Sequence, residues 1–107
     1  MKGPITQQRM EEALEYLSDT DESCAALRAD MERAEFRAKR TEHAIFKISD
    51  GTVAERTADA KTSPDTEAAY EKYFQAMHAY HAMSNKRATE SIVIDTWRSL
   101  NANRRQG

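Results

Sequence analysis

His78 and His81 stand three positions apart and are the side chains best spaced to hold a metal ion. Residues three apart on a helix lie on one face, and imidazole nitrogens are common zinc ligands. Glu67 and Glu71 precede them on the same side, but Glu71 would lie about 10 Å from His78 along the helix axis. Helical di-iron sites use Glu-x-x-His pairs, which this stretch lacks. We therefore predict no metal site and interpret both histidines as polar members of an aromatic helix face.

A basic strip towards the end of the sequence is the second candidate site, and its chemistry is contact with an anion. It consists of Lys86, Arg87, Trp97, Arg98, Arg104 and Arg105. Arginine contacts phosphate and an aromatic ring can stack on an unpaired base, so weak binding of DNA or RNA is one interpretation. The other is that Trp97 is a core residue and the arginines form a solvated helix end, where cations interact favourably with the helix dipole. The sequence leaves both open.

Motifs of catalysis are lacking, with no glycine-rich phosphate loop and no Gly-x-Ser-x-Gly elbow. Cys24, the single cysteine, falls at an apolar helical position and is expected to be a buried free thiol rather than a nucleophile. His43 stands near the predicted end of a helix, where a positive charge is favourable. We therefore expect a non-enzymatic protein with no cofactor and no small-molecule substrate.

The placement of glycine and proline predicts the elements that hold these residues. They stand at Gly3, Pro4, Gly51, Pro64 and Gly107. The stretches 5–50 and 65–106 are free of both, whereas an all-β or α/β chain needs more turns. With only 39% hydrophobic and 32% charged residues, the composition suits long amphipathic helices, each of which buries one stripe. The sequence predicts an all-α protein.

A heptad repeat occupies the first stretch, with Met10 at position a. Its a and d positions are Met10, Ala13, Leu17, Thr20, Cys24, Leu27, Met31, Ala34, Ala38, Thr41, Ile45 and Ile48. A period of 3.5 residues held over five heptads indicates a coiled-coil contact rather than a broad globular face. Residues 18–23 are of types that cap helices and could mark a break. Because the heptad phase continues through them, we predict one helix.

Local signals predict the element boundaries within a single domain, 1–107: a helix at about 5–49, a connector with a short helix at 50–63, and a helix at about 64–103. Gly51 suits the left-handed stop of the first helix. Thr52 to Glu55 reads as a capping box for the short helix. Ser63 followed by Pro64 is a helix start.

The last predicted helix is aromatic in its first half and aliphatic around Ile92 to Ile94. A hairpin of two long helices with many small seam residues buries little area, since small single-core scaffolds are marginal. We therefore predict a long antiparallel helical hairpin, coiled-coil-like, that dimerises into a four-helix arrangement. The predicted oligomer seam comprises Leu17, Cys24, Leu27, Met31, Ile45, Ile48, Ile92, Ile94 and Trp97.

Charge is close to balanced overall, at −2, but unevenly distributed. Residues 11–22 hold six acids and no base, and residues 86–107 are net basic. These ends can pair within the hairpin or between subunits, or the basic end can meet an anionic ligand. No apolar run approaches the length of a membrane span and no leader pattern opens the chain, so we expect a cytoplasmic protein without membrane contact.

Two short stretches bear a family resemblance. They are Asp50-Gly51-Thr52-Val53-Ala54-Glu55-Arg56, running to Ala60-Lys61 and Pro64, and Trp97-Arg98-Ser99-Leu100 followed by Arg104-Arg105. They resemble small helical accessory proteins of tailed phages and prophages, of the type encoded in replication and recombination regions. The resemblance covers about the second half of the chain. It implies an accessory role in the cytoplasm of a bacterial host and transfers no catalytic residue.

Three functional hypotheses follow. The leading one is a non-enzymatic protein-interaction module, homodimeric and binding a protein partner, as a phage or prophage accessory factor. The second is a weak DNA- or RNA-binding accessory of recombination or replication that uses the basic end. The third is a phage inhibitor of a host defence or regulatory protein, contacting it through the acidic stretch 11–22 or the aromatic face.

Overall fold

Three helices and no strand make up the described part of the chain. The computed structural model describes the backbone of residues 5–106 and the side chains of residues 5–103. The helices are α1 (Gln7–Ile48), α2 (Val53–Thr62) and α3 (Pro64–Gln106). The two long helices are the arms of an antiparallel hairpin joined through α2, which confirms the predicted all-α hairpin. Residues 18–23 lie inside α1 without interruption.

The two connections are built from the residues that cap their helices. Gly51 follows α1 with φ +110°, a backbone conformation that other residues rarely adopt, so the conformation favours glycine. The Thr52 hydroxyl accepts from the Glu55 backbone N–H at 3.2 Å and donates to Glu55 Oε1 at 3.1 Å. In α3, the Asp65 N–H donates to Ser63 Oγ at 3.3 Å, and Pro64 takes the first helical position.

Two compact units divide the chain. The first contains residues 1–25 and 81–107, and the second contains residues 26–80. In the first unit, Met10, Ala13 and Ile94 are buried and form a core. Leu17, Val93 and Trp97 pack against that core.

The second unit buries small residues instead. Ala38 and Ala60 are 0% and 2% exposed, and Thr66 is 3% exposed. Small side chains at a contact allow two helices to approach closely. The second unit therefore depends on close helix contact more than on large interdigitating side chains.

The heptad positions of α1 account for the inner face of that helix. Every a and d side chain from Met10 to Ile45 is buried or half-buried. Ile48, the last of them, is 81% exposed. A repeating stripe of this kind buries one face of the helix and leaves the remainder to solvent.

The interior is small for a chain of this length. The hydrophobic residues buried among the described side chains are Met10, Ala13, Ala38, Ala60 and Ile94, and no large side chain there is fully buried. Large apolar side chains are left exposed at Leu14, Phe36, Ile48, Val53, Phe74 and Ile92. These six side chains are apolar surface that one copy of the chain leaves uncovered.

Candidate interaction surfaces

Arg87, predicted as part of a basic strip, joins α3 to α1 within the first unit. Its guanidinium donates to the Leu17 carbonyl at 2.8 Å and to the Thr20 hydroxyl, and it forms an ion pair with Asp21. The Arg87 side chain is 22% exposed. An arginine that is paired and hydrogen-bonded in this way offers little free charge to an outside anion.

The other members of that strip are dispersed. The Lys86 ammonium lies 4.6 Å from the centre of the Tyr16 ring, a cation–π contact. Trp97 is half-buried against the core of the first unit, and exposed Arg98 lies 3.9 Å from Asp95. The side chains of Arg104 and Arg105 lie outside the described residues.

An ion pair between Arg9 and Glu90 joins α1 to α3 in the first unit. Arg9 Nη2 donates to Glu90 Oε1 at 2.9 Å, and Arg9 Nη1 lies 2.7 Å from Glu90 Oε2. The side chains are 34% and 10% exposed. The hydrogen bond from Arg9 lowers the pKa of Glu90, burial raises it, and the charges of Arg9 and Lys86 lower it, so that the net pKa lies below the usual value. The sequence pattern did not single out either residue.

This ion pair predicts a stability difference that disappears in acid. Since the folded pKa of Glu90 is depressed, the stabilisation is fully present above the unfolded pKa, about 4.3, and is lost as pH falls through the folded value. We expect Glu90→Gln to lower the melting temperature at neutral pH by about 4–8 °C, the shift typical for loss of one such interaction in a domain of this size. Thermal melts followed by circular dichroism at neutral and acidic pH measure both values.

Glu71→Gln is the matched control, because Glu71 lies on the same helix and is exposed. We expect its melting temperature to follow that of the wild type at both pH values. If Glu90→Gln lowers the melting temperature by the same amount in acid as at neutral pH, the ion pair is not the cause.

Tyrosines of α3 donate to carboxylates of α1 in the second unit. Tyr70 Oη donates to Glu42 Oε2 at 2.9 Å, and this hydrogen bond, then burial and the Glu42 charge, raises the pKa of Tyr70. A hydrogen bond with Glu35 likewise raises the pKa of Tyr73. The same bond is the main cause of the lowered pKa of Glu35. The aromatic stripe seen in the sequence is therefore a polar contact as well as an apolar one.

The connection between α1 and α2 presents a surface that we call the end surface. It consists of Ile48, Val53 and a cleft of about 340 Å³ lined by Glu42, His43, Phe46, Thr57 and Ala60. Ile48 and Val53 are 81% and 69% exposed. Behind them, the Arg56 guanidinium lies 4.3 Å from the centre of the Phe46 ring, and Arg56 Nε donates to the Phe46 carbonyl at 3.1 Å. One exposed aliphatic side chain, Ile48, thus lies at the end of α1, and the other, Val53, lies at the start of the short helix α2, which is anchored to α1.

The predicted seam residues divide into three groups. Leu17, Ile94 and Trp97 pack within the chain, in and against the core of the first unit. The half-buried members are Cys24, Leu27, Met31 and Ile45. Ile48 and Ile92 are 81% and 63% exposed. The heptad stripe thus contributes to folding within one chain, and a seam between copies stays a prediction.

The histidines considered as metal ligands, His78 and His81, are both exposed. Among the described residues there is no group of three or more His, Cys, Asp or Glu side chains placed to hold a metal ion. His43 lines the cleft of the end surface, and Cys24 is a half-buried free thiol.

Comparison of the chain with protein-family models, with curated proteins and with solved structures finds no match. No helix within the described residues is long and apolar enough to cross a membrane. The surfaces described above are therefore the observations on which a functional proposal rests.

Proposed function

We propose that this chain is a non-enzymatic protein-interaction module that binds a protein partner through its end surface and pairs with a second copy of itself. The observation that supports partner binding is the exposure of Ile48 and Val53, at 81% and 69%, at a connection whose flanking residues Phe46 and Thr57 line a cleft. Exposed apolar side chains near a concave surface are typical of sites where another protein docks.

Self-association is supported by the small interior. The chain has 107 residues, and its hydrophobic core within the described part consists of two aliphatic or thioether side chains and three alanines. Helical scaffolds with so little buried area commonly gain stability from a second copy. On the resemblance of its sequence alone, we further propose an accessory role in a phage or prophage, with the partner supplied by the bacterial host.

The nucleic-acid alternative has weaker support in the contacts of the basic strip. Arg87 is paired with Asp21 and Trp97 packs against the core. Neither is presented for phosphate contact or base stacking.

Site-specific cross-linking tests partner binding at the end surface. A photoreactive side chain at position 53 is expected to capture a distinct protein from a bacterial lysate. Adding Ile48→Ser to that chain is expected to weaken the capture by about tenfold, since buried apolar anchors dominate interface energies. Position 92 is the matched control because Ile92 is also an exposed aliphatic residue. Equal capture from positions 53 and 92, or capture at position 53 that Ile48→Ser does not weaken, would contradict the proposal.

A further inference from the structure

Three acids on α1 form an unpaired acidic face in the first unit. Glu15, Asp19 and Glu22 are four and three positions apart, which places them on one side of the helix. All three are exposed, and none forms an ion pair with another described residue. Like charges at these spacings repel and destabilise a helix unless a cation lies nearby.

Three arginines of α1 form a basic face in the second unit, with the same spacing. Arg33, Arg37 and Arg40 are also four and three positions apart, and all are exposed. Arg33 contacts Asp30 at 3.0 Å in an exposed ion pair, and exposed pairs of this kind contribute little to stability. Arg37 and Arg40 form no ion pair with a described residue.

A shallow groove of about 540 Å³ lies beside this basic face. Its lining residues are Ala34, Arg37, Arg40, Thr41, Asp65, Ala68, Ala69 and Lys72. Three alanines leave room for close approach of another helix, and the cations outnumber Asp65, the one acid of the lining, by three to one. The groove therefore suits an acidic helix.

We propose that the occupant is α1 of a second copy, paired antiparallel so that Glu15, Asp19 and Glu22 of one copy meet Arg40, Arg37 and Arg33 of the other. This inference rests on the proposed self-association and names its surface. In an antiparallel pair of helices with the same rise per residue, the numbers of facing residues have a constant sum. Here the sums are 55 for Glu15 with Arg40, 56 for Asp19 with Arg37, and 55 for Glu22 with Arg33.

The residues between the two faces fit the same register. Ala26 and Ala29 continue the heptad spacing from Glu22 to Arg33, and their numbers also sum to 55. In the pair, Ala26 of each copy meets Ala29 of the other, where small side chains allow close contact. In a two-fold antiparallel pair the acid–arginine contact is made twice, and the assembly stops at two copies. A parallel stagger makes it once and leaves a free acidic face and a free basic face, which leads to open-ended assembly.

Charge reversal with mixing tests the proposal. In a dimer of the basic-face variant, Arg37→Glu with Arg40→Glu, the changed residues face the acidic face of the other copy and repel it. In a dimer of the acidic-face variant, Glu15→Lys with Asp19→Lys, the changed residues face Arg40 and Arg37 of the other copy and repel them. Each is expected to dimerise at least about 100-fold more weakly than wild type, because like charges are brought together. Their equimolar mixture restores both contacts, and we expect a heterodimer within about tenfold of wild-type affinity. Analytical ultracentrifugation at low and high salt measures all four samples.

Two controls separate this contact from a folding defect. Circular dichroism is expected to show wild-type helicity for each variant, because the four changed side chains are exposed. Lys39→Glu with Lys61→Glu makes the same change in net charge at exposed residues away from the basic face and is expected to dimerise like wild type.

Distinct outcomes overturn distinct statements. A wild-type chain that stays monomeric defeats self-association and this inference together, while partner capture at the end surface remains a separate measurement. A dimer that is insensitive to both reversals and to salt defeats only the acid–arginine contact. Open-ended polymers defeat the antiparallel arrangement. If the wild-type chain retards DNA, the basic-face variant does not, and the mixture forms no heterodimer, the occupant of the groove is nucleic acid rather than a second copy.

Discussion

Replacing Ile94 with alanine is expected to lower the free energy of unfolding by about 2–5 kcal/mol. Ile94 is 5% exposed and lies in the core of the first unit with Met10 and Ala13. The truncation removes buried methyl and methylene groups and leaves a cavity that helix packing closes only in part. Since this core contains few large side chains, the loss is a large fraction of what stabilises the unit. Urea denaturation followed by circular dichroism measures the change.

Ile92→Ala is the matched control, with the same residue type on the same helix. Ile92 is 63% exposed, so we expect its truncation to change the free energy of unfolding by less than about 0.5 kcal/mol. If both variants lose the same amount, the assignment of Ile94 to the interior is wrong. If Ile92→Ala alone loses stability, and does so only at concentrations where dimers form, Ile92 belongs to an interface as the sequence predicts.

Enlarging Ala38 to leucine is expected to lower the free energy of unfolding by about 1–3 kcal/mol. Ala38 is 0% exposed and occupies an a position of the heptad, on the face of α1 that is buried in the second unit. Three additional carbon atoms at this site force neighbouring side chains from their rotamers or push the helices apart. The same urea denaturation, with the melting temperature as a second measurement, gives the effect.

Ala44→Leu serves as the control for helix propensity. Ala44 is exposed on the same helix, and alanine and leucine are both strong helix formers, so we expect a change within about 0.5 kcal/mol. If both leucines lower the free energy of unfolding equally, the loss arises from helix propensity rather than from packing in the interior.

These two variants also test the prediction of a single domain. Ile94 belongs to the first unit and Ala38 to the second. One unfolding transition that each variant shifts as a whole would indicate that the chain unfolds as one cooperative domain. Two transitions, each shifted by one variant, would show that the units unfold separately.

Local patterns in the sequence predicted the helices well because their causes are local. The absence of glycine and proline from 5–50 and 65–106 permits two long helices, and α1 and α3 fill most of those stretches. The heptad identified the inner face of α1, since a period of 3.5 residues repeats on one side of a helix whatever its neighbour is. Gly51 and Ser63 marked the connections, because their roles depend on backbone conformation and on hydrogen bonds within two residues.

The candidate sites were predicted less completely, and the basic strip shows why. Its members were grouped by charge and proximity in the sequence, yet Arg87 bonds to Leu17 and Asp21 of the other arm. The hydrogen bonds between Arg9 and Glu90 and between Tyr70 and Glu42 were not foreseen either. A partner 28 to 81 positions away becomes visible only when the register between two helices is known.

The sequence by itself therefore determined that this protein is helical, where its helices begin and end to within three residues, and which side of α1 is apolar. Only the tertiary structure decided which charges are neutralised within the chain and which remain on its surface. The physical reason is that helix formation and amphipathicity arise from contacts over three or four residues. The pairing of a charge depends on the offset between two antiparallel helices, and a shift of one residue rotates each side chain by about 100°.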